Sequence, residues 1–291
     1  MLKRLFAFAI VLAALLSSSA ADKKILLVAG KPSHGPGEHE FNAGCMLLAK
    51  CLNQNPGINA TVARGGWPAD EAAFDGVDAV FFYMDGGPGH PVARPEHIKK
   101  VRELAAKGVG IGFGHYGVEV VAGEPGEAWQ EWTGGYYEDH FSCNPMWSPE
   151  YKTFPSHPVA SGVKPFSNRD EWYINMRFRA NTNGIVPILV AKPSDAVRNG
   201  PYVYPAGPYK HIQEASGRDE TTLWVVENAN GQRGFGFTGG HTHKNWGNDE
   251  QRKVVLNALV WIAHGDVPKA GVKSSITAED LAANLDDKRK K

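Results

Sequence analysis

The sequence predicts an α/β fold: a mostly parallel sheet with helices on both faces. Three observations carry that reading. Short, strongly apolar runs end in glycine or aspartate, amphipathic helical segments lie between them, and histidines gather just after the runs. The runs are Lys24–Ala29, Ile58–Ala63, Ala79–Met84 and Val109–Phe113. Strands of a parallel sheet are buried on both sides, so they read as continuous apolar stretches rather than as alternation.

Met1–Ala21 stands apart from this pattern. Lys3 and Arg4 precede an apolar stretch from Leu5 to Leu16, and Ser18-Ser19-Ala20-Ala21 offers a small-residue cleavage site, the make-up of a signal peptide. The stretch is too short to span a bilayer, and no later segment approaches the roughly 20 apolar residues required. The expected mature chain is periplasmic or secreted, with no membrane partner once the signal is removed. It keeps about 270 residues, which suits one large domain. The 31 basic side chains balance 31 acidic ones, so the charge carries no footprint for nucleic acid. Three cysteines make no disulfide framework. Cys45 and Cys51 lie on one expected helix, about 9 Å apart along its axis, too far to bridge. The oligomeric state is not encoded in any of these features.

Taken in order, Lys24–Ala29 is the first strand, stopped by Gly30-Lys31-Pro32. Phe41, Cys45, Leu48 and Leu52 recur at helical spacing, so a helix over 40–53 follows. Ile58–Ala63 and Ala79–Met84 are the next strands, the latter closed by Asp85-Gly86-Gly87-Pro88. Pro95–Ala106 is a helix with proline in its first turn, Ile98, Val101, Leu104 and Ala105 on one face, and Gly108 as its stop. Val109–Phe113 interleaves apolar residues with glycine, which suits a buried strand approached closely by another backbone. Gly114-His115-Tyr116-Gly117 must then turn sharply, with His115 at a strained apex between glycines. From Val121 the sequence becomes loop-like and dense in rings: Trp129, Trp132, Tyr136, Tyr137, Phe141 and Trp147. Such an insertion either lines a sugar site or packs onto the sheet. Arg169–Arg179, Gly184–Val190, Thr221–Asn228 and Arg233–Thr238 read as further strands, and Asp249–His264 as the closing helix. The expected domain spans 22–265. Residues 266–291 are a tail carrying a short amphipathic helix or fraying.

Ligands bind beyond the carboxyl ends of parallel strands. Four loops fall there: Gly30–His39, Asp85–His90, the His115 elbow and Gly239–Trp246. They hold His34, His39, His90, His115, His241 and His243, six of the 11 histidines, with Glu38 and Asp85 beside them. An imidazole at an elbow apex suits proton transfer or metal ligation rather than covalent attack. His241-Thr242-His243, if extended, points both rings to one side; alternatively one ring hydrogen-bonds a loop carbonyl. Asp85 is a general base, the partner that fixes an imidazole tautomer, or a turn residue. Glu171, beside Trp172 and Tyr173, is either a carboxyl with a raised pKa or an outward-facing strand residue. A zinc-type divalent site needs about three protein ligands and one open position, and His34, His115 and His241 can supply them. No dinucleotide loop follows the first strand, which disfavours a nucleotide cofactor.

Six stretches in order resemble the trehalose-utilisation (ThuA-like) family: KILLVAGKPSHGPGEHEF, AVFFYMDGG, GIGFGHYG, HPVASGV at His157–Val163, RDEWY at Arg169–Tyr173 and GFGFTGGHTHKNW…LNALVWIAHG. The resemblance covers about Lys24–Gly265. It implies a flavodoxin-like fold of the class I glutamine amidotransferase type, in which the elbow of true amidotransferases carries a cysteine nucleophile. His115 takes that place here, so glutamine hydrolysis is not expected. The resemblance also implies a link to disaccharide and keto-sugar metabolism, and it points to His34, Asp85, His115, Glu171 and His241 as the pocket. The export signal and aromatic insertion depart from the smaller cytoplasmic members.

The expected function is therefore that of an exported protein acting on a carbohydrate, a glycoside or keto-sugar. His115 and a carboxylate, Asp85 or Glu171, would move protons, and His241 would orient substrate or bind metal. His34, Glu38, His90, Tyr116, His243 and Trp246 are expected to contact the substrate. Two other readings compete: a non-catalytic sugar-binding module that stacks on Trp129, Trp132, Tyr136 and Tyr137, and a metal-assisted hydrolase.

Overall fold

A computed structural model describes residues 22–288; the expected signal peptide lies outside the described residues. Seven strands share one sheet: β1 (Lys23–Ala29), β2 (Ile58–Ala63), β3 (Ala79–Tyr83), β4 (Gly110–Gly114), β5 (Ile185–Ala191), β6 (Glu220–Glu227) and β7 (Arg233–Phe237). Their order is β5-β6-β7-β4-β3-β1-β2. The run from β2 through β7 is parallel, and β6 pairs antiparallel with both β7 and β5.

Register places the site. Ala29 lies opposite Tyr83, Tyr83 opposite Gly114, and Gly114 opposite Phe237, so four strands end on one level. The loops that follow them must share a rim. Successive residues of β1 face opposite ways: Ile25, Leu27 and Ala29 join the core under α1 (Phe41–Leu52) and the closing helix Asp249–Ile262, while Leu26 and Val28 join the core under α2 (Pro95–Ala106). The glycines of β4 are there for close approach. A Cβ at Gly110 would lie 2.1 Å from the Ile262 carbonyl oxygen, and one at Gly112 would lie 2.2 Å from the Phe235 ring.

Two expectations from the sequence need correction. The aromatic insertion opens with a helix, α3 (Glu124–Thr133), despite Pro125 and Gly126. Proline is tolerated at its start because a first-turn N–H has no helical acceptor. Trp129, Trp132, Tyr136 and Tyr137 are all buried, and Trp129 stacks on Phe113 with centroids 4.4 Å apart. Those rings build core and have no free face for a sugar. Arg169–Arg179 is not a continuous strand. Asp170–Glu171 and Arg177–Phe178 form two short strands and Ile174 a single bridge to Cys143, because Asn175 turns the backbone to φ 59 and interrupts the run.

The other sheet strands, α1 and α2 fall where periodicity puts them, and α4 (Asp249–Ile262) closes the sheet, while the helical turns Asp195–Arg198 and Lys210–Gln213 carry no periodic signal of their own. The C-terminal tail does not fray within the described residues. It runs through α5 (Ala278–Ala282) and returns to the rim, where the Lys288 ammonium bonds the Glu38 carbonyl and pairs with Glu40 at 3.3 Å. Among the described residues, no helix is long and apolar enough to cross a membrane.

Candidate metal centre and active-site cavity

Three of the four rim loops bring an imidazole to the same point. The loop after β1 ends in His39, the turn after β4 begins with His115, and the loop after β7 carries His241. His39 (φ 45) and His115 (φ 48) occupy left-handed backbone, a region non-glycine residues seldom enter. For His115 this is the strained apex foreseen from its flanking glycines, although a single 3-10 turn (His115–Val118) follows instead of an α-helix. His39 is locked in place by its own N–H, which donates to the His241 carbonyl at 3.0 Å.

The ring nitrogens converge. His39 Nε2 lies 3.0 Å from His115 Nε2 and 3.0 Å from His241 Nδ1, and the last two are 3.3 Å apart. Glu171 Oε2 joins them, 2.7 Å from His241 Nδ1 and 3.6 Å from His115 Nε2. All four residues are buried, and the four ligand-type atoms lie within 4.8 Å of one another. The far side of each ring settles its tautomer. His115 Nδ1 faces the Thr238 carbonyl at 3.0 Å, and a carbonyl only accepts, so the proton is on Nδ1. His39 Nδ1 faces Asp85 Oδ1 at 3.0 Å, which fixes that proton in the same way. Both Nε2 atoms therefore present lone pairs to each other.

Electrostatics reinforce this. Burial, followed by the neighbouring His34 and His241, lowers the His39 imidazole to about 2, and burial with His39 and His241 holds His115 well below its ordinary value. Burial also acts downward on His241, but its hydrogen bond to Glu171 and that carboxylate's charge outweigh it and the net shift is upward. The Glu171 carboxyl is raised by burial, against the stabilising bonds from His241 and Asn144. Asn144 Nδ2 donates to its other oxygen at 2.6 Å.

The cluster floors a cavity of about 310 Å³. His34, Tyr116, Glu119, Asn144 and Tyr173 line its walls, and Val203 and Tyr204 stand exposed at its mouth. Tyr204 is 66% exposed, so its ring is the free aromatic face that the buried tryptophans do not provide.

Residues 24–262 match the family described as trehalose utilisation (ThuA). The chain belongs to the ThuA family. Two solved structures of ThuA-like proteins share its fold. The one from Bacteroides uniformis has a TM-score of 0.57 at 14% identity, covering 86% of this chain and 96% of the other. The one from Parabacteroides merdae has a TM-score of 0.53 at 15% identity, covering 89% and 99%. No curated protein matches the sequence. The architecture this ThuA protein shares with them is α/β, a mostly parallel seven-stranded sheet with helices on both faces, and histidine stands at its elbow. Cys45, Cys51 and Cys143 are buried, free and distant in sequence from the elbow.

Of the residues singled out from the ThuA sequence, His115, His241 and Glu171 meet in the cluster, and His34 and Tyr116 line its cavity. Asp85 lies behind, accepting from Ser33 Oγ at 2.8 Å as well as from His39, so it orients an imidazole instead of facing the cavity. Glu38 approaches the outer edge of the His241 ring at 3.6 Å. The expected metal trio requires one exchange: His39, not His34, is the third imidazole at the centre. His34 stacks on His39 with centroids 3.6 Å apart and remains exposed.

Glu38 is outside the cavity lining, and three further expected substrate contacts do not reach it. His90 is buried beneath the elbow, donating from Nε2 to the Gly117 carbonyl at 3.1 Å and accepting the Val92 N–H at Nδ1. His243 starts a 3-10 turn, which directs its Nε2 to the Leu281 carbonyl at 2.9 Å, so the His-Thr-His pair does not share a side. Trp246 is fully buried against Tyr83 and Phe237. His39 was visible in the first loop, but adjacency to Glu38 and Glu40 gave no clue to its direction. Glu119, Asn144, Tyr173 and Tyr204 come from irregular segments, where no period marks an inward residue.

Proposed function

We propose that this ThuA protein is a carbohydrate-active enzyme whose centre is a divalent cation of the zinc class held by His39, His115, His241 and Glu171. The observation that carries the reading is the pair of Nε2 lone pairs 3.0 Å apart, with both Nδ1 protons committed elsewhere. Two bare lone pairs at that distance repel unless a cation sits between them. A tetrahedral site with bonds of about 2.0–2.1 Å has edges of about 3.3–3.4 Å. The separations of 2.7–3.6 Å bracket that value. The outer shell fits as well: Asp85 and the Thr238 carbonyl hold imidazoles the way orienting partners do at metal centres.

His39, His115, His241 and Glu171 would hold such an ion, which would polarise a carbonyl or hydroxyl oxygen of the substrate by taking it as a fifth ligand. The chain's own groups do the remainder. Asn144 keeps Glu171 turned toward the centre, Tyr204 offers an apolar face to a sugar ring, and the rim imidazole of His34 is placed to take a proton. A carbohydrate is the favoured substrate because the family is that of trehalose utilisation. A keto-sugar or glycoside suits the site, since a carbonyl acidifies the neighbouring C–H and a modest base suffices. The leader-like Met1–Ala21 supports action in the periplasm or medium, which fractionation of expressing cells checks.

Elemental analysis of protein purified with metal present tests the centre. About one ion per chain is expected, lost in both His39→Ala and His115→Ala. Metal-free protein that takes up no zinc, manganese or cobalt at micromolar concentration would remove the proposal. Assays of disaccharides and their keto derivatives for product then test the activity, and binding without product would leave a sugar-binding module.

A further inference from the structure

One carboxyl in the cavity has no protein partner. Glu119 follows the elbow turn, and its backbone is fixed on every side. Its N–H donates to the Tyr116 carbonyl at 3.0 Å, its carbonyl accepts the Gly87 N–H at 2.9 Å, and it bridges to Tyr137. The side chain is treated differently. Only 7% of the residue is exposed, yet among the described residues its carboxyl makes no hydrogen bond and no ion pair. Its oxygens are not among the sealed unpartnered polar atoms of the described residues, so they open on the cavity, where a bound molecule can supply the missing partner. Glu119 lines the same cavity as Glu171, and its Oε1 and the Tyr116 hydroxyl both border Gly87, 3.4 and 3.0 Å from where a Cβ would stand there.

The two cavity carboxyls are set up for different work. Glu171 is held by His241 and Asn144. Glu119 faces Asp139 and Glu171, which are acidic, and Tyr116, Tyr137 and Tyr173, which are phenols that stay neutral. Burial first, then Asp139 and Glu171, push it up to about 8. Burial raises both carboxyls, but Glu171 has bonds from His241 and Asn144 that oppose the rise and Glu119 has none.

We propose that Glu119 is a catalytic residue of the cavity, the group that hands a proton to the departing oxygen of a bound glycoside. This rests on the reading that the cavity holds a carbohydrate. The O–H bond of Glu119 breaks and a new O–H bond forms on the departing oxygen, which keeps the electron pair of the broken C–O bond. The pair of the neighbouring C–H bond forms the new C=C, and that proton passes to the imidazole of His34. The products are an alcohol and an unsaturated sugar. Glu119 and His34 regain their starting forms by exchange with water, and no oxidant is consumed.

Leaving-group dependence tests the assignment. Keto-glycosides with an alkyl leaving group need an acid, whereas nitrophenyl ones do not. Glu119→Gln should cut kcat on the alkyl substrate about 100-fold or more, with KM and metal content unchanged, and should leave the nitrophenyl substrate almost unaffected. Equal loss on both substrates, or no loss on the alkyl one, would overturn the role. If the wild-type protein cleaves neither substrate, the carbohydrate reading fails by itself, and the carboxyl is judged by carbon-13 NMR. A bound cation draws its titration downward, so the metal-free protein is used. A glutamate signal titrating near pH 8 that vanishes in Glu119→Gln upholds an acid-form Glu119, and its absence removes the donor.

Discussion

Asp85 Oδ1 lies 3.0 Å from His39 Nδ1, so the strand-end aspartate of β3 fixes the tautomer of an imidazole carried by the loop after β1. Asp85→Asn keeps the shape and removes the charge that holds this proton. Metal affinity should fall about 10–100-fold with the melting temperature of the metal-free protein little changed. Competition against a chromogenic chelator measures it, and unchanged affinity would mean that Asp85 does not support the centre.

His90 gives a pH prediction. Burial lowers it from 6.5 to about 4 in the folded chain, against the raising effect of Gly117 and Asp85. Between those values the unfolded chain takes up a proton that the folded chain refuses, so stability falls as pH drops from 6.5 toward 4 and levels off below. The contribution is on the order of 3 kcal/mol. His90→Gln still offers a donor to the Gly117 carbonyl and has nothing to titrate. Urea midpoints at pH 7 and pH 4.5 should therefore differ less in the variant than in wild type.

Tyr204 and Trp129 separate surface from core. Tyr204→Ala removes a ring that is 66% exposed at the cavity mouth, so carbohydrate binding should weaken about tenfold, with stability nearly unchanged. Trp129→Ala empties the core beneath β4 and should cost about 3–5 kcal/mol of stability. Calorimetry with a bound sugar, set beside thermal melts, distinguishes the two. A stable Trp129→Ala protein that has lost sugar affinity would contradict the core assignment.

The Lys288–Glu40 pair is almost fully buried, and Glu40 also accepts the Gly37 and Asp286 N–H groups at 2.9 and 2.8 Å. Lys288→Met leaves that carboxylate without its cation and should destabilise the fold by about 3–5 kcal/mol. Because the same ammonium bonds the His39 carbonyl at 3.2 Å, metal uptake should weaken along with stability. A variant with wild-type unfolding would show that the tail does not brace the rim.

Most of the sheet was legible because its signal is local. Lys24–Ala29 and Ala79–Met84 are apolar without interruption, and Pro95–Ala106 carries its own start and stop. The register that levels Ala29, Tyr83, Gly114 and Phe237 then brings the strand-end histidines together. What the sequence did not show was direction. His34 and His39 sit in one loop and look equivalent, yet Asp85 and the His241 backbone turn only His39 inward. His243 looked like a partner for His241 until the turn at its own position sent it to Leu281. Helix α3 was hidden by Pro125 and Gly126, whose usual meaning is reversed at a helix start. A Cβ at Gly126 would lie 2.6 Å from the Tyr136 ring, so that glycine serves packing.

His34, His39 and His115 all hold backbone at φ between 45 and 59, where a side chain is disfavoured by about 1 kcal/mol or more. The fold has already given up the freedom of these three positions before any ligand arrives, so the receptor is preorganised there. Empty and loaded forms should then superimpose, and an ion will announce itself as a higher melting temperature without a change of shape. Asparagine, which tolerates the same backbone, becomes the substitution of choice for silencing any of the three rings while leaving the loops undisturbed.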